Sequence, residues 1–403
     1  MPRGAAWGLG ALMLVLAFVA GAAAPPVVSN VRAAQRAGTK LVDIYYDLAD
    51  SDSATLVIAV AVSTNGGASY TLPATSFSGS GWGGAVTPGL NKQIIWNAGS
   101  DLPAKLFANV RFRVTADDAA APSGMALIPA GSFTMGNCMA SSEGDSDELP
   151  LHTVYVSAFY MDRYEVSKAL WDEVYSWAIA HGYSFEYGAQ GKASTHPAQR
   201  MTWYDSVKWC NARSEKDGKV PAYYTDAGLS VRYRSGLAVP YVSWSSGYRL
   251  PTEAEWEKAA RGGASGRRFP WGDTISWGQA NYYAYPLSAG GYAYDVNGTS
   301  GYNPVWASGG YPYTTPVGTF GANGYGLYDM AGNVWEWCWD WYGSYSSAYQ
   351  SDPRGPTSGS YRVYRGGSWA SIAFRCRAAG RYGYTPDSWY GDVGFRSVLP
   401  PGQ

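Results

Sequence analysis

The sequence predicts two successive folded regions: an all-β sandwich of immunoglobulin or fibronectin type over residues 27–116, then an α+β region over 125–399. Three observations predict this. Between Val27 and Ala116 short β-branched or alternating runs are split by Gly, Asn, Asp and Pro, with no helical period among them. Beyond residue 124 a few helix-start signatures stand between long stretches rich in Gly, Tyr and Pro. A chain of 403 residues is also long enough for two regions that each bury a core.

Residues 1–24 precede both regions and read as a secretory signal: Arg3 gives a positive start, Leu12 to Val19 an apolar stretch, and Ala20-Gly21-Ala22 a small-residue cleavage site. The stretch is too short to span a membrane, and Pro25-Pro26 stops any helix directly after it. No cysteine follows the cleavage region, so no lipid anchor is expected. The mature chain is expected to be secreted, periplasmic or at the cell surface, with no membrane span.

Within the first region the strand-like runs are Lys40 to Tyr46, Thr55 to Val62, Gln93 to Trp96 and Leu106 to Val114. Residues 117–124, from Asp117 to Gly124, read as a linker. In the second region Ser167 can cap a helix running to about Ala180, and Thr202 or Asp205 can start another through Cys210 to Glu215. Thr252-Glu253-Ala254-Glu255 is a capping box, and Gly262-Gly263 closes that helix. Beyond Gly262 about 140 residues show little periodicity, which a compact fold tolerates only if metals, disulfides or aromatic packing hold the loops.

Composition narrows the partners. Charged residues are 15% of the chain against roughly 25% in an average soluble protein, and the net charge is -1. Neither nucleic acid nor an anionic membrane is therefore an expected partner. The 33 tyrosines and 18 tryptophans suit an adaptable recognition surface, or dense aromatic packing around irregular loops. Cys138, Cys210, Cys338 and Cys376 allow three full disulfide pairings, among which the sequence does not choose. There is no C-x-x-C, and His152, His181 and His196 lack ligand spacing, so no zinc site is expected.

Seven blocks then occur in order: Met125 to Gly136 (MALIPAGSFTMG), Tyr164 to Ser167 (YEVS), Tyr248 to Glu257 (YRLPTEAEWE), Phe269 to Gly272 (FPWG), Asn323 to Trp337 (NGYGLYDMAGNVWEW), Arg365 to Trp369 (RGGSW) and Gly394 to Arg396 (GFR). In these the chain resembles the formylglycine-generating-enzyme, or sulfatase-modifying-factor, family from Met125 to about Leu399. The resemblance implies a C-type-lectin-like fold. In the family's oxidases two cysteines after the Arg-Gly-Gly-Ser block bind copper(I), and those positions fall here on Ser371 and Cys376. A serine hydroxyl is a hard, neutral donor and cannot replace a thiolate on copper(I), so copper is not expected. Counting back from Gly394-Phe395-Arg396 would match Cys376 to a structural cysteine instead. The family's calcium site falls on Asp329 and Glu336 as carboxylates with the Gly332 and Val334 carbonyls, so calcium is the expected metal. A second family calcium site would use Asn281 and carbonyls near Tyr282 and Tyr311, but its acidic position falls on Gly309.

A non-catalytic branch of the family comprises the variable proteins of diversity-generating retroelements, in which surface residues near the C-terminus are randomised. The chain resembles them in Arg365 to Trp369, Cys376-Arg377 and the Gly394-Phe395-Arg396 ending. Between these lies the candidate binding face: Trp369, Ala370, Ser371, Ile372, Phe374, Tyr382, Tyr384, Ser388, Trp389, Tyr390 and Asp392, with Val393 beside it, and with Trp335 and Trp337 available as support below. Lys, Glu, Gln and Met are absent from residues 366–399, as random first and second codon bases before a fixed pyrimidine would require. The expected function is an exported protein that binds a protein or carbohydrate ligand. Two alternatives stand beside it: a formylglycine-generating oxidase acting on a sulfatase cysteine, with Cys376 as a degenerate active-site cysteine, and a structural cell-envelope component.

Overall fold

The computed structural model describes residues 26–401 except 52–55, 65, 68–69, 71, 73, 75, 103–108, 119–121 and 141–142. The expected signal segment and the middle of the expected linker lie outside the described residues. The chain divides into two units, one formed by residues up to 60 with 77–99 and 112–119, the other by 61–76, 100–111 and everything from 120 onward.

The N-terminal strands are β1 (Val27–Gln35), β2 (Leu41–Ala49), β3 (Leu56–Ser63), β4 (Phe77–Ser78), β5 (Gly83–Val86), β6 (Gly89–Asn97) and, after one helical turn α1 (Ala98–Asp101), β7 (Arg111–Asp118). They form an antiparallel sheet of order β1-β2-β6-β4 and a second sheet of order β5-β3-β7. Ile44 and Tyr46 on β2, Ile58 on β3, and Ile94 and Trp96 on β6 are buried, as their alternation requires. Trp96 meets Phe112 of β7 edge-on at 5.6 Å. β7 continues through Asp117 and Asp118, which the sequence assigned to the linker.

The second unit opens with β8 (Met125–Ile128), β9 (Gly131–Met135), β10 (His152–Val156) and β11 (Phe159–Asp162). Helices α2 (Lys168–Ala180) and α3 (Trp203–Lys216), the short pair β12 (Tyr223–Tyr224) and β13 (Tyr241–Val242), and helix α4 (Glu253–Arg261) follow. The chain then runs without regular strands to β14 (Trp335–Trp341), β15 (Gln350–Ser351), β16 (Arg362–Arg365), β17 (Arg381–Tyr384), β18 (Val393–Gly394) and β19 (Val398–Leu399). The largest of its sheets has the order β17-β16-β14-β18.

All three expected helices begin where hydroxyl caps stand: Ser167 accepts from Leu170 N, Thr202 from Asp205 N and Thr252 from Glu255 N. Glu255 Oε2 returns the bond to Thr252 N at 2.8 Å, and Gly262 ends α4 in the left-handed region at φ +57°. Asp340 of β14 accepts from Glu253 N at 2.8 Å, placing a carboxyl at the N-terminal end of α4. Helices α2 and α3 pack through Trp171 stacked on Trp209 at 5.9 Å, with the edge of Phe395 against Trp209 at 5.3 Å.

The long connections are held by buried ion pairs and rings. Arg213 pairs with Asp162, Arg377 with Glu148, Arg381 with Glu253 and Arg396 with Glu336, each joining residues far apart in the chain. None of the four cysteines is in a disulfide. Cys210, Cys338 and Cys376 are buried in three separate apolar clusters, which is why none meets another. Among the described residues no helix is long and apolar enough to cross a membrane.

Candidate functional site

Trp335 and Trp337 of β14 are buried beneath the C-terminal segment and carry Tyr364, whose ring lies 4.6 Å from Trp335 and 5.7 Å from Trp337. Tyr382 is half-buried on the same ring system, 5.2 Å from Trp335, and its hydroxyl donates to Asp145 at 3.1 Å. Tyr384 is half-buried too and bonds through its hydroxyl to Tyr390. Outward from these stand Tyr390, 45% exposed, and Trp389, 37% exposed. The Arg200 guanidinium lies 4.3 Å over the Trp389 ring and Tyr187 packs against it at 5.3 Å. Ser388 bonds Thr385 at 2.5 Å, Phe374 stacks on Tyr292 at 5.7 Å, Ile372 is half-buried and Ala370 is exposed.

Two members of the expected face, Trp369 and Ser371, are buried outright. Trp369 is covered by Tyr302, Tyr311 and Tyr313, whose rings lie 5.7, 5.4 and 5.5 Å away. Tyr311 is 68% exposed, so the aromatic surface at this end belongs to a loop that carries no spacing signal in the sequence. Ser371 is buried because Tyr283 N donates to its carbonyl at 2.9 Å and its hydroxyl lies 3.1 Å from Ser368 Oγ. Ser368 Oγ in turn donates to Asp392 Oδ2 at 2.8 Å. Burial holds the Asp392 carboxyl above the usual range, with the Ser368 bond opposing it.

Cys376 is fully buried in the loop cluster with Phe269, Ile275 and Tyr282, and burial pushes its thiol well up. A thiol in that setting resists forming the thiolate that copper(I) or a substrate cysteine needs. The structure thus places Cys376, the expected degenerate active-site cysteine, among buried core residues.

The turn from Asp329 to Glu336 lies next to this face. Asp329 and Asn333 take left-handed backbone at φ +55° and +61°. Gly332 is also left-handed, and a Cβ there would collide with the Asn281 carbonyl. Asp329 Oδ2 accepts from Gly318 N at 2.6 Å, while Oδ1 is buried without a donor; burial raises this carboxyl to about 6. Both Glu336 oxygens are taken by Arg396, and Oε2 also accepts from Trp256 Nε1 at 2.8 Å. Glu165, whose role the sequence did not reveal, is buried beside them: Oε1 accepts from Val334 N at 3.1 Å and Oε2 from Asn333 Nδ2 at 2.6 Å. Burial, then the Asp329 and Glu336 charges, push the Glu165 carboxyl well up. Three buried carboxyls thus face one guanidinium, Arg396. Hard oxygens short of positive charge, with one oxygen orphaned, fit a divalent cation.

At the weaker second position Asn281 Nδ2 donates to Tyr313 O at 2.7 Å, and Gly309 supplies no carboxylate. Among the described residues Asp145, Asp147 and Glu148 also come within ligand reach of one another, but both Glu148 oxygens are held by Arg377.

The ordered blocks, the helix caps and this turn are matched over residues 111–400 by the sulfatase-modifying factor enzyme 1-like domain family. The chain belongs to this family. The match to the sulfatase-modifying factor family begins at Arg111, the first residue of β7. Among curated members, the formylglycine-generating enzyme of Thermomonospora curvata is 38% identical over 307 residues, covering 69% of this chain and 94% of the relative. The Mus musculus formylglycine-generating enzyme is 36% identical over 297 residues, 68% of this chain and 74% of the relative. Among solved structures, Treponema denticola variable protein 1 aligns with TM-score 0.53 and 29% identity, over 69% of this chain and 95% of its own.

Proposed function

We propose that this chain is an exported binding protein of the sulfatase-modifying factor family, akin to the variable proteins of diversity-generating retroelements. Its recognition face is formed by Trp389, Tyr390, Ala370 and the half-buried Phe374, Tyr382 and Tyr384, extended by the exposed Tyr311. One observation carries the reading: where the oxidases hold copper between two thiolates, this chain has the buried Ser371 hydroxyl, and Cys376 is a core residue. The likeness to Treponema denticola variable protein 1 supports the same reading. Rigid rings beside small polar groups are what a recognition face needs, and a protein or carbohydrate is the ligand they suit. Calcium is the proposed occupant of the Asp329 turn, held by Asp329 and Glu336 with the Gly332 and Val334 carbonyls. It would neutralise the carboxyls and fix the loops. The first unit, with its two sheets, would be a sandwich of immunoglobulin or fibronectin type.

The competing reading is a formylglycine-generating oxidase, favoured by the 38% identity to the Thermomonospora curvata enzyme. Incubation with copper and a sulfatase-derived cysteine peptide decides between them. No aldehyde product by mass spectrometry is the expected result; formylglycine formation that depends on Cys376 would overturn the binding reading. Export is tested separately by N-terminal sequencing of secreted protein, expected to begin near Ala23.

A further inference from the structure

We infer that Glu165 and Asn333 are positioning residues through which occupancy of the Asp329 turn sets the shape of the recognition face. The inference rests on the calcium reading above. Asn333 is bonded in four directions. Its Oδ1 accepts from Thr315 N at 2.9 Å, its Nδ2 donates to Glu165 at 2.6 Å, its amide donates to Asn281 O at 2.8 Å and its carbonyl accepts from Trp369 N at 2.8 Å. Thr315 follows the loop that carries Tyr311 and Tyr313, so both ring-bearing segments at that end of the face hang from this one residue. The neighbouring residues extend the attachment: Gly332 N donates to Gly366 O and Trp335 N to Asp392 O, each at 2.8 Å.

Glu165 anchors the same turn from below by accepting from Asn333 Nδ2 and Val334 N, yet no cation is left for it, because Arg396 is committed to Glu336 through two nitrogens. Without a metal, three carboxyls crowd the turn; with one, the Glu165–Asn333 bond carries the tightened backbone to Trp369, Thr315 and Asp392. Linkage then runs both ways, so a ligand that orders the face tightens the metal.

Hydrogen exchange on the full chain, with and without calcium and beside calcium-dependent melting, tests this. In the wild type, with metal at about a hundred times its Kd, calcium is expected to slow exchange by up to roughly a hundredfold over residues 311–315, 366–371 and 390–393, because opening there must release the metal, while α2 is unchanged. Glu165→Gln should need about ten times more calcium for the same rise in melting temperature. Should that variant not fold, Asn333→Gly keeps the left-handed backbone and removes the side-chain bonds to Thr315 and Glu165. It is expected to retain calcium-dependent melting and lose the protection at 311–315. A wild type whose melting ignores calcium defeats the metal reading itself. Calcium-dependent melting with unchanged exchange in those three segments defeats the coupling alone.

Discussion

Arg396 holds Glu336 with two nitrogens, Nε and Nη2 donating to the two carboxylate oxygens at 2.8 and 2.7 Å, and both side chains are buried. Removing one partner leaves the other charge buried and alone. Arg396→Met should therefore cost about 3–5 kcal/mol in urea unfolding at neutral pH. Calcium should recover part of that loss, since the freed carboxylate still binds the metal. A cost under about 1 kcal/mol, the range of exposed pairs, would mean the pair is not buried in solution.

Chelation should lower the melting temperature of the wild type. Metal present at a hundred times its Kd adds about 2.7 kcal/mol when it binds only the folded state, which for a unit of this size is several degrees. Asp329→Asn should remove the effect, because Asp329 Oδ1 is the buried oxygen without a donor. Identical calorimetric traces in chelator and calcium would rule the site out.

Asp340 should make stability fall as pH rises. Burial, with Glu253 next, pushes its carboxyl from 3.8 up to about 8. Between those values the folded state keeps a proton that the unfolded chain has released, so stability falls toward alkaline pH by up to about 1.4 kcal/mol per unit and levels off above the window. Asp340→Asn keeps an acceptor for Glu253 N and cannot ionise. Its urea midpoint should match the wild type only below the unfolded value of 3.8 and exceed it increasingly toward pH 8.5; parallel pH profiles would contradict this.

Truncation should divide the face by burial. Tyr390→Ala, at an exposed position, should change stability by no more than about 0.5 kcal/mol, and Trp389→Ala should cost about 1 kcal/mol because its ring carries the Arg200 guanidinium, whereas Trp369→Ala should cost about 3–5 kcal/mol. Tyr382→Ala should fall between, because its ring rests on Trp335. Thermal melts of the four variants check the order, and a Tyr390→Ala loss as large as that of Trp369→Ala would refute the exposed assignment.

Local signals in the sequence located what local chemistry determines. Ser167, Thr202 and Thr252 announced three helices because each hydroxyl satisfies an orphan amide within its own turn. Strand β1 went unread because nearly all of its residues are exposed, leaving no alternation to detect. At the site, the Asp329 turn was legible as a motif, but the cover over Trp369 was not. Tyr302, Tyr311 and Tyr313 reach it from a loop without period, and their meeting depends on contacts such as Thr315 with Asn333. Glu165 stood in a recognised block, yet its partners lie at Asn333 and Val334, a separation no spacing rule spans.

The inward placement of the arginines also bears on how fast a ligand is met. Arg213, Arg249, Arg362, Arg365, Arg377, Arg381 and Arg396 are all buried, most of them against an acid, in a chain of net charge -1. Pairs neutralised inside cast little potential into solvent, so these seven arginines do little to draw a partner from a distance. If the proposed face at Trp389 and Tyr390 binds a ligand, encounter there should proceed with little electrostatic steering, with an association rate on the order of 10⁵–10⁶ M⁻¹s⁻¹ that hardly changes with salt. Differences between good and poor ligands would accordingly lie in how long each one stays.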